Sequence, residues 1–240
     1  MNFIRFWGSK FRNRPNKPLA ETSVALPENH EWSQEDLHAL FRNCADIRIE
    51  KYDFGELKHR QIVYLLYCEG LAEKQQINEY VLPRLENMLH MPHSEEDGVG
   101  FDKKLELTRI HQSKDIVSAV FSGQLIIYFT KLHALYALDI ASPPSRTPSE
   151  SNTEISIKGP KDAFVEELST NVALVRKRLP TTSLCYEQFS IGKRSNSKVA
   201  LLYIEDIIQP QIVTEVRARL RHIDVDAVFS SAQLEKIISD

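Results

Sequence analysis

The chain has 240 residues, which is long enough for one large domain or two small ones. Its hydrophobic content of 42% and charged content of 26% are ordinary for a packed protein and exclude a largely disordered chain. The net charge of -3 excludes a general affinity for nucleic acid.

The cysteines and the lengths of the apolar runs exclude further classes of protein. Cys44, Cys68 and Cys185 are odd in number and widely spaced, so neither a disulfide framework nor a zinc site is predicted. A reducing compartment fits this pattern best. No apolar run approaches the ~20 residues that span a bilayer, and charges interrupt any signal-peptide segment at the N-terminus. The chain as printed is therefore expected to be soluble.

Residues 1–30 are predicted to form a basic, flexible tail, because Pro15, Pro18 and Pro27 break any long helix. The first 20 residues hold five Lys or Arg and no acid, which leaves 25 basic against 33 acidic residues elsewhere. Aromatic residues recur there at i, i+4 and i+8 beside basic ones, a pattern typical of a membrane-interfacial segment. A tail with no role is the alternative. The membrane candidates are Phe3, Arg5, Trp7, Lys10 and Phe11.

Residues 31–140 are predicted to form a first α/β unit. Ser33 and Asp36 resemble a capping box, and apolar residues at helical spacing follow them. Pro83 is expected to kink a helical stretch or to begin a second helix, and Gly123 suits a helix C-cap. The predicted elements are strands 47–54 and 61–67, helical residues 72–89, an irregular stretch 91–108, a helix around 116–121, and a hairpin of 125–129 with 134–140.

Residues 141–154 are predicted to be a flexible linker, since Pro, Ser and Thr dominate and only Ala141 is apolar. Residues 155–240 then form a second α/β unit. It begins with a short strand, 155–158, and a long helix, 161–179, that Pro180 stops. The apolar stripe of this helix is Phe164, Leu168, Val172, Val175 and Leu179, and its basic end is Arg176, Lys177 and Arg178.

The remainder of the second unit is predicted as strands 184–191 and 198–204, helix 210–223, strand 225–229 and a last helix capped by Ser230 and Gln233. Strand 198–204 is apolar on both faces, which predicts a central position in a covered sheet. Arg217, Arg219 and Arg221 alternate, so we expect them to point to different sides of their helix. The predicted fold is α/β, with two small subdomains that each contain a mixed sheet flanked by helices.

No pattern in the sequence indicates catalysis. Residues 159–162 lack the second glycine and the Lys-Ser/Thr pair of a phosphate-binding loop, and no G-x-S-x-G elbow occurs. His90 and His93 form the only close histidine pair, but Pro92 disfavours a helix that could align them. We therefore expect no enzyme activity, no cofactor, no metal and no catalytic residue.

Residues 159–166 and 171–179 resemble the signature of the GerA family of spore germination proteins: a Gly-Pro-basic-acidic-small-Phe opening, an Asn, and an Arg-rich helix end. The resemblance continues through residues 191–195, 198–203, 216–220 and 223–226, and it is only an outline over 31–140. The residues that match the motif are Gly159, Pro160, Asp162, Phe164, Asn171, Arg176, Arg178 and Gly192.

The resemblance implies the cytoplasmic N-terminal region of a germinant receptor A subunit. Such subunits continue into transmembrane helices and assemble with B and C subunits, and further A subunits are a candidate partner. The implied location is the cytoplasmic face of the inner spore membrane, and the implied role is signalling and subunit assembly. The motif residues are then structural or partner-contacting.

A second hypothesis stays open beside the receptor role. It makes the chain a small-molecule binding module with a nutrient held between the two subdomains. The sequence does not identify the germinant, the oligomeric state or any ligand-binding residue.

Overall fold

The computed structural model describes residues 31–55, 60–90, 105–144 and 164–239. We refer to 31–144 as the first unit and to 164–239 as the second unit. The elements of the first unit are α1 (Gln34–Leu40), β1 (Ile47–Phe54), β2 (Gln61–Cys68), α2 (Lys74–Gln76), a π-helical turn (Ile77–Val81), α3 (Leu82–His90), β3 (Thr108–Ile110), α4 (Ser113–Phe121), β4 (Leu125–Phe129) and β5 (Ala134–Leu138).

The first unit contains a five-stranded antiparallel sheet in the order β1-β2-β4-β5-β3. Every residue of β4 and β5 is buried, because helices cover both faces of the sheet. One face packs against α1 and α4 through residues such as Leu37 and Ile116. The other face packs against the π-helical turn and α3 through Ile77 and Leu85. The resulting three layers explain why these strands are apolar at consecutive positions.

Local sequence signals place the helices as expected. The capping box is confirmed: the Ser33 hydroxyl accepts from Asp36 N–H, and the Asp36 carboxylate accepts from Ser33 N–H at 2.9 Å. The predicted disturbance at Pro83 is the π-helical turn, where Leu82 N–H donates to the carbonyl oxygen of Ile77. A proline ring presses on the carbonyl one turn before it, and the wider π turn makes room for the ring.

The second unit consists of α5 (Leu168–Arg178), β6 (Leu184–Ile191), β7 (Ser197–Ile204), α6 (Pro210–His222) and α7 (Ser231–Ser239). Strands β6 and β7 form a two-stranded antiparallel sheet. Ala200 and Leu202 of β7 pack against α5, whereas Val199 and Leu201 pack on the side of α6 and α7. The last helix is capped as predicted, since Gln233 N–H donates to the Ser230 hydroxyl at 3.2 Å.

The α/β class is confirmed, but five details of the predicted fold are wrong. Strand pairing in both sheets is antiparallel rather than mixed. Strand β3 was not predicted from the sequence, and no strand forms over 225–229. Helix α5 begins at Leu168, so Phe164 precedes it. Strand β7 is covered on both faces as expected, yet in the described residues it lies at an edge, and none of its residues is fully buried.

Several expectations fall on residues outside the described ranges. They are the predicted strand 155–158, most of the predicted linker, and Pro92 with the second histidine of the pair, His93. The first residues of the linker are described: Ser142 N–H donates to the carbonyl oxygen of Leu71 at 2.8 Å, and Ala141 bridges Ala72. The division into two domains joined by a linker stays a prediction.

Candidate functional site

Helix α5 packs against both units. Its Leu168 and Val172 contact Tyr186 in the second unit, whereas its Ala173 belongs to the core of the first unit. The approach is close at Gly70, where a Cβ atom would lie 3.0 Å from the Ala173 Cβ. Only glycine, which also has a φ of +84° here, lets the helix approach the first unit so closely. The helix is therefore the element that joins the two units.

Arg176 lies at the centre of this junction and is fully buried. Its Nε and Nη2 atoms donate to the two carboxylate oxygens of Asp46, at 2.8 and 2.9 Å. Its Nη1 atom donates to the carbonyl oxygens of Thr181 and Leu184, at 2.7 and 3.0 Å. The guanidinium also lies over the ring of Phe121, 4.3 Å from its centroid. One side chain of the second unit is thus bonded and stacked onto two residues of the first.

Asp46, rather than solvent, stabilises the positive charge of the buried Arg176 side chain. Burial alone would lower the pKa of Arg176, but the hydrogen bond and the attraction from Asp46 raise it overall. The guanidinium therefore stays charged beside a carboxylate that is only 3% exposed. A buried pair of this kind adds little net stability, whereas removal of one partner leaves an uncompensated charge at about 3–5 kcal/mol.

Asn171 fixes the chain that enters α5. Its side-chain amide donates to the carbonyl oxygen of Val165 at 2.8 Å, and its side-chain oxygen accepts from the N–H of Val165 at 2.7 Å. The side chain is 2% exposed and uses both ends of its amide on one backbone residue. These two hydrogen bonds to the backbone explain why an asparagine occupies that position in the motif.

Gly192 serves the turn between β6 and β7. Its φ is +90°, a conformation that favours glycine, and a Cβ atom there would lie 2.3 Å from the Ser195 hydroxyl. The following N–H groups of Lys193 and Arg194 donate to the carbonyl oxygens of Val225 and Asp226, at 3.0 and 2.8 Å. The turn therefore anchors the loop between α6 and α7.

The predicted site residues do not come together at one place in the described structure. Phe164 is 50% exposed ahead of α5, and Arg178 is exposed at its end. The predicted apolar stripe is buried only in part, because Leu179 is also exposed. Other predicted residues lie outside the described ranges. They are Gly159, Pro160 and Asp162 of the motif, and Phe3, Arg5, Trp7, Lys10 and Phe11 of the tail.

The three cations at the basic end of α5 lie in two different environments. Lys177 and Arg178 are exposed, but Arg176 points into the junction because it lies one turn after Val172 on the buried face. Sequence reasoning missed its partner, since Asp46 lies 130 residues away and no periodicity connects the two. A signal was present: Asp46 sits between Cys44 and the apolar start of β1, where an acid needs a partner.

A backbone contact accompanies the ion pair. Tyr186 N–H donates to the carbonyl oxygen of Asn43 at 2.8 Å, and Ala45 N–H donates to that of Tyr186 at 3.2 Å. Strand β6 thereby pairs, at its start, with the segment that follows α1. Two clefts border this contact, and Tyr186 and Gln188 line both.

The first cleft has a volume of about 90 Å³ and a charged lining. Arg48 and Glu69 come from the first unit and pair with each other, with Nη2 and Oε2 at 2.5 Å. Lys198 and Glu167 come from the second unit, and Ser169 lies at the first turn of α5. Both signs of charge therefore face a space with room for roughly six water molecules.

The second cleft is larger, about 460 Å³, and three arginines line it: Arg42, Arg217 and Arg221. Arg217 donates to both carboxylate oxygens of Glu187, at 2.6–2.9 Å, and to the Tyr203 hydroxyl at 2.9 Å. The expectation that alternating arginines share no face is wrong for two of them. Arg217 and Arg221 are four residues apart, which places them on one side of α6.

The buried cysteines provide no nucleophile. Burial raises the pKa of Cys44 to about 12 and raises that of Cys68 well above its usual range. Both thiols therefore stay protonated at neutral pH, and the thiolate is the reactive and metal-binding form.

The described residues hold neither a metal-binding cluster nor a membrane-spanning helix. Within 31–55, 60–90, 105–144 and 164–239, no three His, Cys, Asp or Glu side chains are grouped to hold a metal ion. In the same ranges, no helix combines the length and the apolar character needed to cross a bilayer.

Comparison with known proteins gives consistent matches. The family described as Bacillus/Clostridium GerA spore germination protein matches residues 35–240. Spore germination protein XA of Bacillus anthracis is 32% identical over 213 residues, which cover 87% of this chain and 43% of that protein. Spore germination protein B1 of Bacillus subtilis (strain 168) is 34% identical over 197 residues, covering 81% and 40%. The chain thus spans about two fifths of the length of these curated relatives.

One solved structure shares the fold. It is the N-terminal domain of the A subunit of the Bacillus megaterium spore germinant receptor GerK3, with a TM-score of 0.62 and 24% identity. The similarity covers 84% of this chain and 72% of that domain.

Proposed function

The chain belongs to the GerA family of spore germination proteins, and from this premise we propose that it is the head of a germinant receptor A subunit. Its role would be nutrient-triggered germination, through signalling and subunit assembly. The match over residues 35–240 and the fold shared with an A-subunit N-terminal domain support this proposal. No catalytic step is assigned to it.

The observation that carries the proposal is the position of the motif residues Asn171 and Arg176. Both are buried, one fixing the start of α5 and the other bonding α5 to the first unit. We propose that this junction keeps the two units in one arrangement, and that the receptor reads this arrangement when it assembles and signals.

The proposed partners are the B and C subunits, with other A subunits as a further candidate. The proposed location is the cytoplasmic face of the inner spore membrane, reached through membrane helices outside this chain. The relatives are more than twice as long as their matched parts, which leaves length for such helices. The basic tail, with Phe3, Trp7 and Phe11, is proposed to add a weak contact with anionic lipid.

Deletion of the full-length gene in its spore-forming host tests the receptor role. Spores without the gene should lose their response to at least one nutrient, while a non-nutrient trigger still germinates them. Restoration by the wild-type gene completes the support. Related receptor genes are also removed, so that they cannot compensate for the deletion. Spores of this strain that still respond normally to every nutrient would overturn the proposal.

A junction variant then tests the role of α5. We expect Arg176→Met in the full-length protein to lower the nutrient response or the level of the A subunit, whereas Lys177→Met on the exposed face of the same helix should change neither. Subunit levels are measured by immunoblot alongside germination. Equal response and equal levels in both variants would contradict the role of the junction.

The second candidate function is nutrient binding in the first cleft, which its lining favours. Arg48 and Lys198 offer positive charge, Glu69 and Glu167 offer negative charge, and the space is small. Such a site suits only a very compact polar molecule with both charges, because its volume of about 90 Å³ lies below that of most small-molecule sites.

Thermal shift of the 240-residue chain against a panel of nutrients tests this candidate. A ligand at a hundred times its dissociation constant should stabilise the protein by about 2.7 kcal/mol. Lys198→Gln should remove the shift, whereas Lys131→Gln, in the exposed β4–β5 turn, should keep it. A panel without any shift, or a shift that Lys198→Gln leaves intact, rejects the first cleft as the site.

A further inference from the structure

The second cleft carries more positive charge than the acidic residue in its lining can neutralise. Of the ten residues that line it, three are arginines and one, Glu187, is an acid. Elsewhere the chain is acidic, with 25 basic against 33 acidic residues beyond the first 20. A local excess of guanidinium groups on an acidic body indicates a surface suited to negative charge.

The three arginines differ in how far ion pairs and hydrogen bonds within the protein engage their guanidinium groups. Arg217 is held by Glu187 and by the Tyr203 hydroxyl, so its charge is neutralised within the second unit. Arg42 is 70% exposed and reaches Glu205 only at 3.5 Å. Arg221 makes no ion pair or hydrogen bond with any residue in the described ranges, and it lines the cleft one turn beyond Arg217. Two guanidinium groups, one from each unit, are therefore available to a ligand.

We propose that the second cleft binds a small molecule that carries a carboxylate or phosphate group, with Arg42 and Arg221 as its ligand-contacting residues. Guanidinium groups bind both anions through paired N–H donors, and such charge-assisted hydrogen bonds are about twice as strong as neutral ones. The ring of Phe189 lies in the lining and offers an apolar wall for the rest of the molecule.

The size and position of the cleft fit this use. Its volume of about 460 Å³ lies within the range of small-molecule sites. Glu205, the acid that Arg42 reaches, also accepts a hydrogen bond from the Asn43 side chain at 3.2 Å. Because Arg42 belongs to the first unit and Arg221 to the second, a bound anion would add a contact across the junction. The inference does not depend on the germination role.

Titration of the 240-residue chain with sodium phosphate or with sodium succinate, followed by amide NMR at constant ionic strength, tests this site. We expect saturable shifts at residues 43–45 and 187–189 with at least one of the two anions, and the anion that binds identifies the group recognised. Arg42→Gln and Arg221→Gln should each weaken binding about tenfold or more, because each removes a charged hydrogen-bond donor.

Lys131→Gln removes one positive charge outside the cleft and serves as the matched control, so its affinity should equal that of the wild type. Both arginine variants are exposed and should fold, which unchanged spectra without ligand would show. Shifts that do not saturate with either anion, or binding that both arginine variants retain, would overturn the proposal.

Discussion

The two units bury their sheets to different degrees. In the first unit, every residue of β4 and β5 is buried between two helical layers. In the second unit, no residue of β7 is fully buried, although helices cover both of its faces. A two-stranded sheet is marginal alone, whereas a five-stranded sheet covered by helices is not. We therefore expect the second unit to depend on its contacts with the first.

Helix α5 contributes to that dependence. It covers one face of β7 and also places Ala173 in the core of the first unit. The Arg176–Asp46 pair lies on the same helix, between the units. Unfolding of the first unit would expose Arg176 and remove the surface on which α5 packs. We therefore expect the two units to unfold together, and the following changes test this expectation.

The largest effect should come from Arg176→Met. The change leaves the Asp46 carboxylate buried without its partner, so we expect a loss of about 3–5 kcal/mol in the free energy of unfolding. Urea unfolding followed by circular dichroism measures it. Lys177→Met, on the exposed side of the same turn, should stay within about 0.5 kcal/mol.

A double variant sharpens this test. Asp46→Leu combined with Arg176→Met removes both charges, and it should recover much of the stability lost in the single variant. A single variant as stable as the wild type would show that the pair does not hold the junction. A double variant worse than either single change would show that packing, not charge, dominates there.

Core truncations compare the two sheets directly. Leu65→Ala in β2 removes a fully buried side chain, so we expect a loss of about 2–5 kcal/mol. Leu202→Ala in β7 removes a half-buried one and should cost less than half as much, because less apolar surface leaves the core. Equal losses in urea unfolding would contradict the difference between the sheets.

The sequence predicted the parts of the fold that local chemistry controls. The Ser33 cap, the Pro83 disturbance, the Gly123 helix end and the hairpin of β4 with β5 each depend on neighbouring residues. Predictions from periodicity failed where contacts between residues far apart in the sequence determine the structure. Periodicity did not reveal that Arg176 pairs with an acid 130 residues away, and β7 was predicted to be central because its apolar faces do not reveal its open edge.

The site was predicted less well than the fold. The resemblance pointed to Asn171, Arg176 and Gly192, but it did not show that one fixes a loop, one joins the units and one permits a turn. Arg217 and Arg221 were expected to point to different sides of their helix because they were considered together with Arg219, although residues four apart share a face.

A smaller effect concerns the pH dependence of the second unit. Burial alone would raise the pKa of Glu187, but hydrogen bonds from Arg217 and Tyr203 lower it overall, below the ordinary 4.5. An acid with a lowered pKa stabilises the fold above its unfolded pKa, and this contribution is lost as the pH falls through the folded pKa.

Glu187→Gln should therefore be less stable than the wild type at pH 7, and the difference should shrink as the pH falls below about 4.5. Urea midpoints from pH 7 to pH 3 measure this, with Glu235→Gln on the exposed face of α7 as the control. A difference that stays constant with pH would show that Glu187 acts by packing alone.

The smallest effect on folding should come from the exposed end of α5. Lys177→Gln together with Arg178→Gln should change the free energy of unfolding by no more than about 0.5 kcal/mol. If these residues contact a partner, the same change in the full receptor should lower the germination response. Normal germination by the stable double variant would show that they are only a solvated helix end.

Hydrogen exchange in increasing urea tests most directly whether the two units unfold together. For the wild-type chain, we expect the slowest amides of β2 and β6 to exchange through one opening reaction, with the same free energy and the same dependence on urea. In Arg176→Met, β6 should open at a lower free energy than β2. A wild-type chain in which β6 already opens independently of β2, or a variant in which the two still open together, would contradict the account.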